Sequence, residues 1–467
     1  MGRKSGPVLE LLLRVDRAAR QPLHTQVEHG LREAIRGGRM TAGTPVPSSR
    51  ALARELGVAR SVVIDAYAQL CAEGYLRARA GSRTTVAATA VTRAPRRATA
   101  AGGAPVAVYD FHPGVPDLAA FPARAWTTSL QRALTRAPHA ALGYPDPRGA
   151  PGLRQVLGGY LARARGTLTD PDQLFICAGT VQGLRLICQA LHAAGTRRIA
   201  VEDPCWLFHR AIPVRVGLET LPVSVDQHGL RVEELDRLAV QAVIVTPAHQ
   251  FPTGVVLSPG RRAALLDWAV RNDAIVIEDD YDAEYRYDRD PVGALQGLAP
   301  DHVIYAGSAS KVLAPGLRLG WLLVPGHLTG ALSSEKIHAD LGSDVPSQLA
   351  LADFIQTGEL DRHLRRTRRR YQARRAALID AIHTHLPDTQ IQGVAAGLHA
   401  LALLPSKTSE TALTAAAAAR GVCVHGLSRH HANPTAGPPG LILGYANLPE
   451  PAIRRGIREL AIARNQT

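Results

Sequence analysis

Apolar residues fall at helical spacing after Pro22, at Leu23, Val27, Leu31 and Ile35, and the run stops at Gly37–Gly38. This predicts an amphipathic helix. ProSerSer (47–49) supplies an N-cap for the next segment, with Leu52 and Leu56 on one face and Gly57 as the turn. AlaArgSerValValIleAspAlaTyrAlaGlnLeu (59–70) reads as another amphipathic helix, stopped by Gly74. Residues 75–86 then read as a two-stranded basic wing turning near Gly81. Helix, short turn, helix and wing is the order of a winged helix-turn-helix. Residues 87–107 hold Ala, Thr, Arg, Pro and Gly without periodicity, a linker composition. From Val108 the pattern changes. Short apolar runs at 174–177, 198–201, 242–245, 274–277 and 303–305 alternate with helical segments. That alternation predicts an α/β domain with a largely parallel sheet. Residues near 390–467 read as a smaller α+β unit. The expected division is therefore 1–86, 87–107 and 108–467.

Length and charge sharpen this division. A chain of 467 residues exceeds one typical core. The net charge of +14 is uneven: residues 1–100 carry 17 Lys and Arg against 7 Asp and Glu. A basic first segment on a near-neutral body points to an anionic partner, with nucleic acid foremost. Cys71, Cys177, Cys188, Cys205 and Cys423 form no CxxC pair and no metal spacing, which fits reduced thiols in a cytoplasm. No metal is expected. No apolar run reaches membrane length and no leader pattern is present, so a soluble cytoplasmic protein is expected.

A recognition helix needs short polar or basic side chains in its first turn and phosphate donors nearby. Arg60 and Ser61 occupy that turn. Ser48, Ser49 and Arg50 stand at the start of the preceding helix, where backbone amides can take a phosphate. Arg83, in the wing, is placed for the minor groove. The plainer reading of each arginine is a solvated surface charge. Across residues 21–86 the sequence, with ProSerSerArgAlaLeuAlaArgGluLeuGly (47–57) and GluGlyTyrLeu (73–76), resembles the GntR family. The resemblance implies double-stranded DNA as a partner.

The second domain carries GlySerAlaSerLys (307–311), followed by Pro315, Arg318 and Gly320, with GluAspAspTyrAsp (278–282) upstream. A lysine bracketed by hydroxyls and glycines, with an arginine beyond and an acidic strand end before, suits a pyridoxal 5'-phosphate (PLP) site. Lys311 would form the Schiff base, Ser308, Ser310 and Arg318 would hold the phosphate, and a carboxylate would face the pyridine nitrogen. Over roughly 108–465 the chain resembles fold-type I aminotransferases. The resemblance implies that Gly179, Thr180 and Val181, in GlyThrValGlnGly (179–183), add to the phosphate site at a helix N-terminus. It implies that Trp206 stacks on the ring, the alternative being a core tryptophan. It assigns Asp279 to the ring nitrogen, with Asp280 as the neighbouring candidate, since strand alternation sends only one of the two inward. Phe251, in HisGlnPheProThrGly (249–254), stands where the family's asparagine bonds the ring hydroxyl, and Tyr281 is the replacement. Tyr144, in TyrProAspProArgGly (144–149), matches a tyrosine that reaches the partner subunit's phosphate, which implies a dimer.

A GntR-type reader joined to such a body resembles the MocR subfamily of regulators. That implies a PLP-dependent transcriptional regulator sensing PLP or an amino compound, a homodimer with head-to-tail swapped domains, and no primary enzymatic role. HisProGlyValProAspLeu (112–118) is most similar to the branch controlling vitamin B6 synthesis. The alternative is a working aminotransferase with a vestigial reader, and a third reading is an architectural DNA-binding protein with structural PLP. The arginine that clamps a substrate carboxylate in aminotransferases is missing from GlyLeuIleLeuGlyTyrAla (440–446). Arg429 lies nearby, and whether it substitutes is open. The run 362–375 holds eight arginines. It reads as a solvated helix packed by its arginine stems, or as a second phosphate-contact surface.

Overall fold

The computed structural model describes residues 13, 15–78, 83–88, 108–288 and 292–466. The chain divides into two compact units, Met1–Ala104 and Pro105–Thr467. The turn expected near Gly81, and all but the first two residues of the 87–107 linker, lie outside the described residues.

The first unit has helices Leu23–Arg36, Ser49–Leu56 and Arg60–Ala72, then strands Leu76–Arg77 and Thr85–Val86 paired antiparallel. Ser48 caps the second helix, its hydroxyl accepting from the Ala51 amide at 3.2 Å. Gly57 closes that helix at φ 65°, a left-handed conformation that costs glycine little. Val27, Leu31, Ile35, Leu52, Val63, Ala66 and Leu70 form one core with Leu76 and Val86 of the wing. The Tyr67 hydroxyl ties this core to the Pro47 carbonyl at 2.8 Å. Pro45 bridges Thr85, and Val46 donates to the Thr84 carbonyl, so residues 44–46 form a third edge on the wing. The ThrProValPro composition hides this edge, because proline marks strand margins poorly.

In the second unit eight strands form one sheet. Their order is Leu174–Cys177, Gly320–Leu323, Val303–Ser308, Ile275–Asp279, Ala242–Val245, Arg198–Asp203, Glu219–Asp226 and Gly229–Leu230. Gly320–Leu323 runs antiparallel to both its neighbours, and Gly229–Leu230 runs antiparallel to Glu219–Asp226. Successive side chains in the central strands enter opposite cores. Ile244, Ile275 and Ile277 pack with Leu184, Ile187 and Leu322, whereas Val243 and Val276 pack with Leu265 and Trp268. Burial on both faces is why these strands read as unbroken apolar runs. Glu219–Asp226 has only Val223 buried, and Gly320–Leu323 contains no β-branched residue, so neither stands out in the sequence.

The smaller sheet orders Gln390–Gln392, His399–Leu403, Gly440–Gly444 and His425–Gly426, backed by helices Glu410–Ala419 and Glu450–Arg464. Tyr109–Asp110 pairs with Val422–Cys423, so the start of the second unit is built into its C-terminal part. The arginine run lies on helix Glu359–His385, and several of its arginines are fixed rather than free. Arg370 and Arg374 reach Asp117 at 2.8 and 2.9 Å, Arg374 also donates to the Ala446 carbonyl, and Arg368 donates to the Glu284 carbonyl at 2.8 Å.

Leu31 is fully buried at the centre of the first unit. Leu31→Ala is expected to destabilise that unit by roughly 2–5 kcal/mol, the cost of a large-to-small core change. A chemical denaturation midpoint unchanged from the parent would contradict this packing.

Candidate functional site

The site is assembled at the carboxyl ends of the parallel strands, where open α/β sheets bind their ligands. The strand Ile275–Asp279 delivers two adjacent acids and separates them. Asp279 follows the face of Ile275 and Ile277, and its Oδ2 lies 2.9 Å from His209 Nε2. Its Oδ1 is buried and, among the described residues, has no hydrogen-bond partner. Asp280 turns away, accepting from Arg165 Nε at 2.6 Å and from the Tyr305 hydroxyl at 2.7 Å. Asp280 is thus engaged in a buried ion pair; each acid keeps an unpartnered Oδ1 among the described residues, but only Asp279 lines the site's cavity. Such an oxygen is expensive to leave unmatched, so it calls for a donor from a bound group.

The neighbouring strand Val303–Ser308 runs into the short helix Ala309–Val312, which carries Lys311. Burial lowers the Lys311 pKa, opposed by the carboxylates of Asp282 and Asp279. Its amine donates to the Gly114 carbonyl at 2.6 Å. Gly114 sits at φ 77°, a conformation that favours glycine, and a Cβ there would stand 2.9 Å from the amine nitrogen, so the lysine tip would have to shift.

Arg318 follows the turn Pro315–Leu317 with φ 51°. Its guanidinium lies against Gly179, where a Cβ would come within 3.1 Å, and it donates to the Ala178 carbonyl. Gly179, at φ 83°, precedes Thr180, the first residue of helix Thr180–Ala193. Guanidinium, helix N-terminus and the hydroxyls of Thr180, Ser308 and Ser310 make a cup for an anion.

A cavity of about 450 Å³ takes in Thr180, Val181, Trp206, Asp279, Tyr281, Ser308, Ser310, Lys311 and Arg318. Gly179 stands behind Arg318 rather than on the wall. Tyr144 is 94% exposed and does not line the cavity. The Tyr281 hydroxyl donates to the His249 carbonyl at 2.9 Å, so serving a ring oxygen requires it to exchange that partner. Phe251 packs on His399 and His430 with ring centroids 5.0 and 5.2 Å apart, an apolar contact in place of an amide donor.

Sequence reasoning missed much of the opposite wall. His209, the partner of Asp279, was detectable only as a histidine in the otherwise apolar opening of helix Leu207–Val216. His112, His399, His425 and His430 also line the cavity. Burial pushes His425 and His430 down to about 4, so both are uncharged imidazoles at neutral pH. Arg429 stands on the same wall. The residues present fit PLP: an amine, an anion cup, an aromatic face at Trp206 and a carboxylate oxygen awaiting a donor.

In the first unit Arg50, Arg60, Ser61 and Arg83 are exposed. Arg60 Nε donates to Ser49 Oγ at 3.3 Å, which brings together the first turns of two helices. Ser48 is partly used as a cap. These placements suit a phosphate-bearing surface.

The two units define a class: a winged-helix reader carried on an aminotransferase-fold body. Residues 23–86 match the gntR family of bacterial regulatory proteins, and residues 110–460 match aminotransferase class I and II. The chain is 35% identical to the HTH-type pyridoxine biosynthesis transcriptional regulator PdxR of Corynebacterium glutamicum, over 94% of this chain and 95% of that protein. It is 33% identical to the probable rhizopine catabolism regulatory protein MocR of Rhizobium meliloti, over 97% and 96%. Among solved structures, the kynurenine aminotransferase of Pyrococcus horikoshii superposes with a TM-score of 0.70 at 25% identity, covering 76% of this chain and 90% of that one. The chain belongs to the MocR subfamily of GntR-type regulators. Among the described residues no helix is long and apolar enough to cross a membrane.

Beneath the cavity, burial raises Glu202 from 4.5 to about 7, while Thr246 and Gln250 donate to it. The folded carboxyl keeps its proton between those values and the unfolded one releases it. This group's contribution to stability therefore falls as pH rises from 4.5 to 7. Glu202→Gln should remove that loss. Relative to the parent, the variant should gain on the order of 2–3 kcal/mol between pH 4.5 and 8. An equal gap in unfolding free energy at both pH values would refute this.

Proposed function

We propose that this chain is a PLP-dependent, DNA-binding transcriptional regulator whose second domain senses PLP or an amino compound. The observation that carries the reading is the free Oδ1 of Asp279 in one cavity with the buried amine of Lys311. In this reading residues 1–86 read DNA, 87–107 link, and 108–467 sense. The protein works in the cytoplasm.

When bound, PLP supplies an electrophilic carbonyl and an electron-withdrawing ring. Arg318, Thr180, Ser308 and Ser310 hold its phosphate, with the backbone at Gly179 and Val181. Trp206 covers the ring. Asp279 accepts the ring N–H, and His209 fixes the orientation of that carboxylate. Burial keeps more of the Lys311 amine unprotonated, as covalent attachment requires. Tyr144, 94% exposed in one chain, suits a role on the partner's phosphate within a head-to-tail homodimer. Ser48, Ser49, Arg50, Arg60, Ser61 and Arg83 contact double-stranded DNA. Similarity to a pyridoxine biosynthesis regulator supports control of vitamin B6 supply, with PLP itself as the signal.

The enzymatic reading rests on Arg429, which stands on the cavity wall and can receive a carboxylate. Against it, strand Gly440–Gly444 carries no arginine, so an amino acid lacks the usual clamp and with it much of the rate that orientation supplies. A half-transamination assay beside a DNA-binding titration with and without PLP ranks the two. Rapid turnover together with DNA affinity indifferent to PLP would make this an enzyme first.

The purified protein should absorb in the visible through cofactor held by Lys311. Lys311→Ala should lose that band, and an unchanged spectrum would remove Lys311 from its role. Arg60→Ala should weaken specific DNA binding by roughly 1–3 kcal/mol. Full specific affinity in that variant would discard the recognition-helix assignment.

A further inference from the structure

A second cavity, of about 460 Å³, lies between the start of helix Ala123–Arg136 and the first turns of helix Glu359–His385. Arg124, Arg366 and Arg370 line it. Its acidic lining residue, Glu359, is already paired with Arg362 at 2.7 Å. Among the described residues neither Arg124 nor Arg366 has a carboxylate within ion-pair distance. His363 completes the floor. It is 3% exposed, its Nε2 donates to the Val312 carbonyl at 2.8 Å, and its Nδ1 has no partner among the described residues. Two exposed guanidinium groups, Arg124 and Arg366, therefore line the cavity without a carboxylate partner among the described residues, and Arg370 beside them is held by Asp117.

We propose that this cavity is a second ligand site, distinct from the cofactor pocket, for a small anion bearing a phosphate or diphosphate group. Arg124 and Arg366 supply the charge and the N–H donors, and His363 anchors the floor through its bond to the Val312 carbonyl. Guanidinium forks match phosphate oxygens in geometry as well as charge. The floor and rim of this cavity also touch the Lys311 neighbourhood, which gives the site a route to the sensor. His363 holds the carbonyl of Val312, the residue after Lys311. Arg370 holds Asp117 at 2.8 Å, and Asp117 belongs to the segment whose Gly114 carbonyl receives the Lys311 amine. An anion at Arg370 competes with Asp117 for that guanidinium and so weakens one of the two arginine contacts that hold residues 112–118. This last step rests on the sensor role proposed for Lys311; the binding site does not.

The test uses the full chain and pyrophosphate as the probe. The cofactor cup also takes phosphate, so titrations are run on PLP-loaded protein and on Arg318→Ala, which cripples the cup. Calorimetry should find pyrophosphate binding in both. Arg366→Ala should weaken it about tenfold or more, the loss of one charge-assisted hydrogen bond, with the visible spectrum unchanged. Amide exchange of residues 112–118 should rise on pyrophosphate addition in the parent and not in Arg366→Ala. Binding that survives Arg366→Ala combined with Arg124→Ala overturns the site. So does a pair of variants that weaken DNA binding while leaving pyrophosphate affinity intact, which would assign these arginines to the DNA backbone. If PLP never loads, the regulator reading fails, and the Arg318→Ala titration still decides this one.

Discussion

The structure turns on the parity of one strand. Ile275–Asp279 alternates between two cores, and at its end that alternation must dispose of two consecutive carboxylates in a dry interior. Asp280 is neutralised by Arg165, itself 1% exposed, and by the Tyr305 hydroxyl. Asp279 emerges on the other side with one oxygen bound to His209 and the other free. A slip of one residue would turn Asp279 to the Arg165 face and away from the cavity. The register with Val303–Ser308 is fixed by the same pairing, so the position of Lys311 depends on it as well.

A second constraint reaches the lysine from outside the sheet. Helix Glu359–His385 holds Asp117 through two arginines and Val312 through His363. The chain on both sides of the Lys311 amine, the carbonyl that receives it and the backbone that carries it, is therefore anchored to one helix. The arginine run is part of the site's support through Arg370 and Arg374, which share Asp117. Arg124 and Arg366, without a carboxylate partner among the described residues, line one cavity beside it.

Much of this was legible in the sequence, and the exceptions have physical causes. Continuous apolar runs marked the strands buried on both faces. Glycine and serine punctuation marked the reader's helices, and the hydroxyl-flanked Lys311 marked the anion cup. Asp279 and Asp280 were told apart by strand alternation only as a preference, because alternation names a face without saying which face holds the cavity. His209, His399 and the pair His425 and His430 were not legible, since they come from three separate parts of the chain that meet only after folding. The edge strand at residues 44–46 and the pairing of Tyr109–Asp110 with Val422–Cys423 were hidden for a related reason. Each is two or three residues long, too short to carry a period.

The two units place charge in opposite settings. The reader's arginines are in water, where salt screens them and phosphate contacts set affinity through counterion release. The charges around the body's site, such as Asp279, Asp280 and Arg165, are buried, where one unmatched group outweighs several exposed ones. A ligand in the body therefore acts with most force by changing which buried group is matched. A donor to Asp279 Oδ1 together with withdrawal of the Lys311 amine from the Gly114 carbonyl would change two such matches at once. Any effect on DNA occupancy must then equal the difference in ligand affinity between the arrangements of the chain that bind DNA well and badly. The reader supplies affinity that varies with salt, and the buried site supplies a preference that salt barely touches.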